Sequence, residues 1–125
     1  MIIKFNCDGM TRKVTKDDAA VVAVRQDSGV DVVRIVMKQS TFNNLVLSGA
    51  SAKFLYLDET GTVKSHDSTV TADGDTFTAD WPLGDDVSDD AGVVSFSVRI
   101  AKDSQKWYSL EGKFNVADTI SDAEG

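Results

Sequence analysis

This chain contains almost no cysteine, histidine or proline. These residues often form disulfides, act in catalytic or metal sites, or end a strand or helix. Its 125 residues include one cysteine, Cys7, one histidine, His66, and one proline, Pro82. A single cysteine cannot close an internal disulfide, and a single histidine leaves no second imidazole for a typical zinc site. A disulfide-stapled scaffold is therefore excluded, and packing alone must stabilise the fold.

The motifs that usually carry catalysis are also missing. Cys7 and His66 could in principle form a nucleophile and a base, but they lie far apart in sequence and outside any activating motif. The glycines of the second half fall in predicted hairpins and loops, so they do not form a phosphate-binding loop. The carboxylates lie in turns or on outward faces rather than as a pair in a cleft. We predict that the chain is not an enzyme and uses no cofactor.

Long apolar segments are absent as well. No run approaches the roughly 20 apolar residues that a transmembrane helix needs. Residues 1–5 do not show the basic region followed by an apolar region that a secretory signal requires. We expect synthesis in the cytoplasm and no membrane partner.

Acidic residues outnumber basic ones, and they are concentrated in the second part of the chain. Residues 1–50 contain seven Lys and Arg against five Asp, a balance of +2, whereas residues 51–125 contain six against fifteen Asp and Glu, a balance of −9. An acidic surface repels phosphate backbones, and no basic stripe interleaved with aromatic residues is present. We therefore expect no nucleic-acid partner.

The sequence contains instead a series of short β-rich runs, each closed by turn residues. Such runs end in Asp58-Glu59-Thr60-Gly61, in Asp73-Gly74 and at Pro82, which is typical of tight hairpins and strand ends. No helix of ordinary length is required. We predict one all-β domain over residues 1–125, a sandwich of about seven to nine strands.

Alternation of apolar and polar residues places one face of several strands in a core. In the strand predicted over residues 31–38 both faces carry apolar residues, so both are at least partly covered. Trp107 does not fall on the predicted inward face of its strand. The predicted inward sets are Val33, Ile35 and Met37; Phe77, Ala79 and Trp81; Val94, Phe96, Val98 and Ile100; and, in a last strand over residues 106–116, Tyr108, Leu110, Phe114 and Val116.

The two ends of the chain and its middle segment are predicted to have different places in the fold. Residues 2–6 and 11–15 flank an Asp-Gly turn and predict a β-hairpin, which we interpret as an extension, residues 1–18, added to the sandwich. Residues 119–125 are interpreted as a frayed tail. Residues 39–51 are the least periodic stretch and are predicted to cross from one sheet to the other.

One loop is rich in aspartates, whose carboxylate oxygens are ligands that calcium prefers. It contains Asp85, Asp86, Asp89 and Asp90, and loops between the strands of a sandwich can supply oxygen ligands. The EF-hand spacing is missing, however, and no Glu closes the loop. We therefore favour a solvated turn that binds calcium weakly or not at all.

A few apolar residues have no obvious place in the alternating core. They are Leu45, Val46 and Leu47 in the crossing segment, and Trp107, together with the N-terminal hairpin. We predict that these residues form protein contacts. A second hypothesis pairs Trp107 with Tyr56 as an exposed platform for stacking a sugar ring.

The order and spacing of these runs, over residues 20–118, resembles the N-terminal domain of phage upper baseplate proteins. The N-terminal hairpin has no counterpart in that family. The similar features are the turn and strand from Val24 to Ile35, the runs that end in Asp58-Glu59-Thr60-Gly61 and Asp73-Gly74-Asp75, the strand that ends at Trp81, and Ala91-Gly92 with the closing Phe114-Asn115-Val116.

The resemblance implies an immunoglobulin-like antiparallel β-sandwich, here with an added N-terminal hairpin. It implies a structural role in a phage or prophage tail or baseplate, without catalytic residues. The expected partners are other tail or baseplate proteins, or further copies of the chain in a homo-oligomer. The expected location is the virion, after synthesis in the bacterial host cytoplasm. The alternative is a carbohydrate-binding or adhesive module.

Overall fold

The computed structural model of the protein describes residues 2–17, 23–24, 31–58, 60–84 and 92–117. Within these ranges the chain forms eleven β-strands and one turn of 3-10 helix, and it forms no α-helix. The strands are β1 (Ile2–Cys7), β2 (Val14–Lys16), β3 (Ala23–Val24), β4 (Val32–Lys38), β5 (Ser51–Leu57), β6 (Val63–Thr69), β7 (Thr71–Asp73), β8 (Thr76–Pro82), β9 (Gly92–Lys102), β10 (Gln105–Tyr108) and β11 (Gly112–Ala117), and the 3-10 helix is Gln39–Thr41.

The strands form two sheets that enclose one core, so the prediction of an all-β sandwich is confirmed. The first sheet has the order β2-β1-β4-β8-β7, and the second has the order β3-β11-β9-β5-β6, with β10 also paired to β9. Most pairs are antiparallel, but β1 with β4 and β11 with β3 are parallel. The strands of the described ranges exceed the predicted seven to nine because β2, β3 and β7 have only two or three residues, too few to show an alternation.

Alternation in the central strands builds an aromatic core. The predicted inward side chains of β4 and β8 are all buried, as are Phe96, Val98 and Ile100 of β9. Trp81 is 1% exposed, and its ring centroid lies 4.5 Å from that of Tyr56 and 5.7 Å from that of Phe96. Trp81 belongs to the first sheet and both partners belong to the second, so aromatic packing joins the sheets in a chain that has no disulfide.

The N-terminal hairpin is integrated into the first sheet of the sandwich. β1 and β2 pair as the predicted hairpin, but β1 also pairs with β4 along its whole length. Its inward side chains Ile3, Phe5 and Cys7 are at most 4% exposed and belong to the core. The predicted N-terminal hairpin is therefore present, and its strand β1 also supplies core side chains from the interior of the first sheet.

The predicted last strand over residues 106–116 is broken in two. β10 and β11 both pair with β9, and residues 109–111 lie between them. Ser109 bridges the break: its Oγ accepts a hydrogen bond from the Val98 N–H at 2.8 Å, and its own N–H donates to the Val98 carbonyl at 2.9 Å. The side chain of Ser109 thus replaces a backbone carbonyl in the ladder, as in a β-bulge.

This break changes which side chains of the segment face the core. Trp107 is 8% exposed, whereas Tyr108 and Leu110 are 46% and 54% exposed. The predicted inward placement of Tyr108 and Leu110 is therefore wrong, because the alternation restarts after the bulge. Phe114 and Val116, which follow the restart, are buried as predicted.

The segment between β4 and β5 crosses from the first sheet to the second, as predicted. The side chain of Gln39 holds this crossing in place. Its Nε2 donates to the Leu45 carbonyl at 2.8 Å, and its Oε1 accepts from the Leu47 N–H at 2.7 Å. These bonds satisfy backbone groups that would otherwise be left unpaired beside the core.

Candidate functional site

The structure offers little support for a catalytic cysteine. Cys7 is buried, and this burial, with a smaller contribution from the charge of Asp8, raises the pKa of its thiol from 9.0 to about 12. His66 lies in the second sheet and Cys7 in the first. Among the described residues, no group of three or more His, Cys, Asp or Glu side chains is arranged to hold a metal ion.

We predict that Cys7 is inert in the folded protein. At pH 8 a thiol with a pKa near 12 is almost entirely protonated, so a thiol reagent should modify native protein at least about a hundredfold more slowly than unfolded chain. Because the folded pKa is raised, the thiol favours folding below pH 9.0, and this contribution is lost as the pH rises towards 12. Native and urea-unfolded rates within tenfold of each other would contradict the prediction.

The residues predicted to form protein contacts are mostly buried. Leu45, Leu47 and Trp107 are at most 8% exposed, and Val46, at 57%, is the exposed member of the set. The prediction of a contact surface made from all four residues is therefore wrong. Gln39 turns Leu45 and Leu47 inward through its backbone hydrogen bonds, and the bulge at Ser109 turns Trp107 inward.

The hypothesis of a sugar-stacking platform is also contradicted. Tyr56 is 8% exposed and packs on Trp81 in the core. The guanidinium carbon of Arg12 lies over the Trp107 ring, 5.3 Å from its centroid, and the ring of Phe42 packs edge-on at 4.9 Å. The two aromatic rings therefore offer no shared exposed face. The four aspartates suggested for calcium, Asp85, Asp86, Asp89 and Asp90, lie outside the described residues.

An exposed aliphatic groove lies on the outer face of the second sheet instead. Leu57 is 53% exposed, and it lies directly opposite Val63, which is 68% exposed. Leu110, 54% exposed, forms the other wall. We call this feature the sheet groove, and its volume is about 390 Å³. Its main lining residues are Leu55, Leu57, Val63, Ser95, Ser97 and Leu110.

The strand register explains the shape of the sheet groove. Leu55 lies opposite Ser97 of β9 and Ser65 of β6, so small side chains lie on both sides of it. The small side chains of β9 form the floor, while the leucines and Val63 form the walls. Phe54-Leu55-Tyr56-Leu57 in β5 is a continuous apolar run. Such a run is the sequence signal of a strand with apolar contacts on both faces, and it could have identified this surface.

Glu111 lines the sheet groove itself, but the wider outer face has an excess of cations in its described part, although the chain carries a net charge of −7. Lys53 pairs with Asp67 at 3.4 Å, and Lys113 pairs with Glu111 at 3.5 Å. In the strand register, Arg99 lies directly opposite Lys53 of β5 and Tyr108 of β10, and Lys106 lies opposite Ala101. Directly opposite residues share one face of a sheet, so Arg99 and Lys106 both lie on the outer face that carries the sheet groove. Four cations and two carboxylates give the described part of the face a charge of +2.

A second concave feature lies at one end of the sandwich, and we call it the end cleft. Its volume is about 430 Å³, and it lies between the β1–β2 turn, the crossing segment and β10. Trp107 and Phe42 form its apolar part. The polar and basic side chains that line it are Arg12, Thr41, Asn43, Asn44, Gln105 and Lys106.

No protein-family model matches the chain, and no curated protein matches it. Within the described ranges, no helix is long and apolar enough to cross a membrane. The sheet groove, the end cleft and the fold are the features that bear on function.

Proposed function

We propose that the chain is a structural component of a phage or prophage tail or baseplate, and that it acts by binding a neighbouring subunit at the sheet groove. The exposure of Leu57, Val63 and Leu110 together on one sheet face is the observation that carries this proposal. Contiguous apolar surface of this kind, rimmed by polar side chains, typically marks a protein contact.

The strand order supports the immunoglobulin-like part of the proposal. Taking β4, β5, β8 and β9 as strands B, C, E and F, the observed pairs β4 with β8 and β5 with β9 are the B–E and C–F pairs of such sandwiches. β7 then takes the place of strand D, β11 that of G and β6 that of C′. The parallel β1 and the hairpin strand β2 are additional to that plan.

The charge of the face indicates the chemistry of the partner. A second copy that presented the same face would bring two surfaces of +2 together, which costs free energy at low ionic strength. A subunit that presents apolar side chains among acidic ones would fill the groove and complement its rim. We therefore propose a different tail or baseplate subunit with an acidic contact surface.

Charged substitutions in the sheet groove test the proposal. Leu57→Asp and Leu110→Asp should leave the isolated protein folded, because both side chains are about half exposed. Each should lower incorporation into particles at least about thirtyfold, the effect of losing about 2 kcal/mol at the centre of an interface. Val46→Asp is the matched control, since Val46 is 57% exposed and lies in the crossing segment, outside the groove.

Purified particles carrying each variant can be quantified by mass spectrometry. Normal incorporation of both groove variants would contradict the sheet groove as the contact, and absence of the wild-type chain from purified particles would contradict the structural role. A stable dimer of the isolated wild type that Leu57→Asp dissociates would show that a second copy, not another subunit, occupies the groove.

One observation supports the alternative function of an adhesive module. The end cleft has a polar lining and the volume of a small-ligand site. Retention of the protein on polysaccharide, with normal particle assembly by the groove variants, would favour this alternative.

A further inference from the structure

We propose that the end cleft is a binding site for a small anionic ligand, whose carboxylate or phosphate group is held by Arg12 and Lys106. The proposal does not depend on a role in phage particles. Its basis is the preorganisation, the charge and the free hydrogen-bonding capacity of the cleft.

Hydrogen bonds between distant segments hold the walls of the cleft together. The Gly9 N–H donates to Thr41 Oγ1 at 3.0 Å, and Gln105 Nε2 donates to the Asn44 carbonyl at 2.7 Å. Arg12 is fixed in the same way, because its Nη1 donates to the Tyr108 carbonyl at 2.9 Å. These three bonds join the β1–β2 turn, the crossing segment and β10, so a ligand would not have to order them.

The approach of the turn to the crossing segment requires glycine at position 9. A Cβ atom there would lie 2.6 Å from the Thr41 carbonyl oxygen and 2.6 Å from the Phe42 ring. Carbon atoms do not approach this closely without a shift of the backbone. The wall made by Gly9, Thr41 and Phe42 is therefore closely packed, not a gap between mobile loops.

The net charge of the described lining is positive. Arg12 and Lys106 contribute two cations, and among the described residues no carboxylate lines the cleft. The nearest acid in sequence, Asp8, is turned to its own loop, where its Oδ1 accepts the N–H groups of Met10 and Thr11. Within the described residues neither Arg12 nor Lys106 forms an ion pair. In a chain of net charge −7, this site attracts anions rather than cations.

Arg12 retains donors for a ligand. Its guanidinium donates from Nη1 to the Tyr108 carbonyl, and the group is held over the Trp107 ring. A guanidinium carries five N–H donors in a planar fork, which suits two-point binding of a carboxylate or phosphate. The amide side chains of Asn43 and Asn44 are exposed in the cleft and can bond the hydroxyl groups of a larger ligand. The chemistry therefore fits an anionic group, either free or carried by an acidic sugar.

The two tryptophans make the test direct. Trp81 is buried in the core, whereas Trp107 lines the cleft beneath Arg12, so the indole N–H signal of Trp107 in an NMR spectrum reports on the site. We would titrate the protein with glucuronate, inorganic phosphate and glucose at constant ionic strength. Glucuronate should shift the Trp107 signal saturably, and glucose should not.

The three arms distinguish the source of the anion. Tighter binding of glucuronate than of phosphate would support an acidic sugar, and equal or tighter binding of phosphate would support a free or esterified phosphate. Equal binding of glucose and glucuronate would overturn the proposal, because charge would then play no part. An absence of saturation by both anions would overturn it as well.

Variants assign the binding to the named side chains. Lys106→Gln and Arg12→Lys should each weaken binding about tenfold, since each removes a charge-assisted or two-point contact. Lys64→Gln is the matched control, because Lys64 is exposed on β6 and lies outside the cleft. Thermal unfolding midpoints confirm that each variant is folded. Equal weakening by Lys64→Gln would show a general charge effect and would overturn the site.

Discussion

Replacing Trp81 with alanine should lower the free energy of unfolding by about 3–5 kcal/mol, the cost of deleting a large aromatic side chain from a packed core. The ring of Trp81 is 1% exposed, and it contacts the rings of Phe54, Tyr56, Phe96 and Phe114 from the opposite sheet, with centroid distances between 4.5 and 6.0 Å. Its loss would leave a cavity between the sheets. Urea denaturation followed by circular dichroism measures the change.

The size of this effect should depend on the central position of the side chain, and a matched variant can test that. Trp81→Phe keeps an aromatic ring in the core and should cost clearly less than Trp81→Ala. Val63→Ala, on the exposed wall of the sheet groove, should change the free energy of unfolding by less than about 0.5 kcal/mol. A cost of less than about 1.5 kcal/mol for Trp81→Ala would mean that aromatic packing does not join the sheets.

Two neighbouring isoleucines should respond very differently to the same substitution. Ile3 is 0% exposed and Ile2 is 46% exposed, because adjacent residues of β1 point to opposite faces of the first sheet. Ile3→Ala should therefore cost about 2–5 kcal/mol of unfolding free energy, and Ile2→Ala about 1 kcal/mol or less. Chemical denaturation of both variants under identical conditions gives the comparison.

This pair decides whether β1 belongs to the fold. The substitution and the strand are the same in both variants, so differences in strand propensity are small and burial dominates. If β1 were an appended hairpin, both substitutions would have small and similar effects, and removal of residues 1–17 would leave a stable sandwich. Equal effects below about 1 kcal/mol would contradict the parallel pairing of β1 with β4.

The strands that could be predicted from the sequence are those with unbroken alternation. Phe77, Ala79 and Trp81 alternate with polar residues and end at a proline, and β8 follows this pattern from start to end. The crossing between the sheets was equally accessible, because a stretch without periodicity lies between two periodic ones. In each of these cases the signal is local in the chain.

The features that could not be predicted depend on contacts between residues distant in sequence. β1 is an interior strand because it pairs with β4, about thirty residues further on, and nothing within residues 1–18 indicates that partner. The inward position of Trp107 depends on Ser109 bonding to Val98 of another strand. An alternation count cannot detect a serine that replaces a backbone group, so it assigns the wrong phase to the residues before it.

The two candidate sites also differ in how far they could be predicted from the sequence. The end cleft brings Arg12, Asn44 and Trp107 together from three separate segments, and no spacing in the sequence connects them. The sheet groove is partly visible in the sequence, since Leu55 and Leu57 belong to an apolar run. Its second wall, Leu110, is exposed because of the bulge at Ser109, which only the folded structure shows.

The directions of the strands give the domain two different ends. β1, β4 and β9 all finish at the end cleft, which lies between the segments that follow them. Ile2 begins β1, and Val116, next to Ala117, pairs with Gly92 at the start of β9, so the first and last described residues lie at the opposite end. If the domain were attached through either of these residues, the end cleft would lie at the end of the sandwich opposite the point of attachment. The separation is about 20 Å, the length of a six-residue strand. Immobilisation through Ile2 or Ala117 would therefore leave the cleft accessible to ligands in solution.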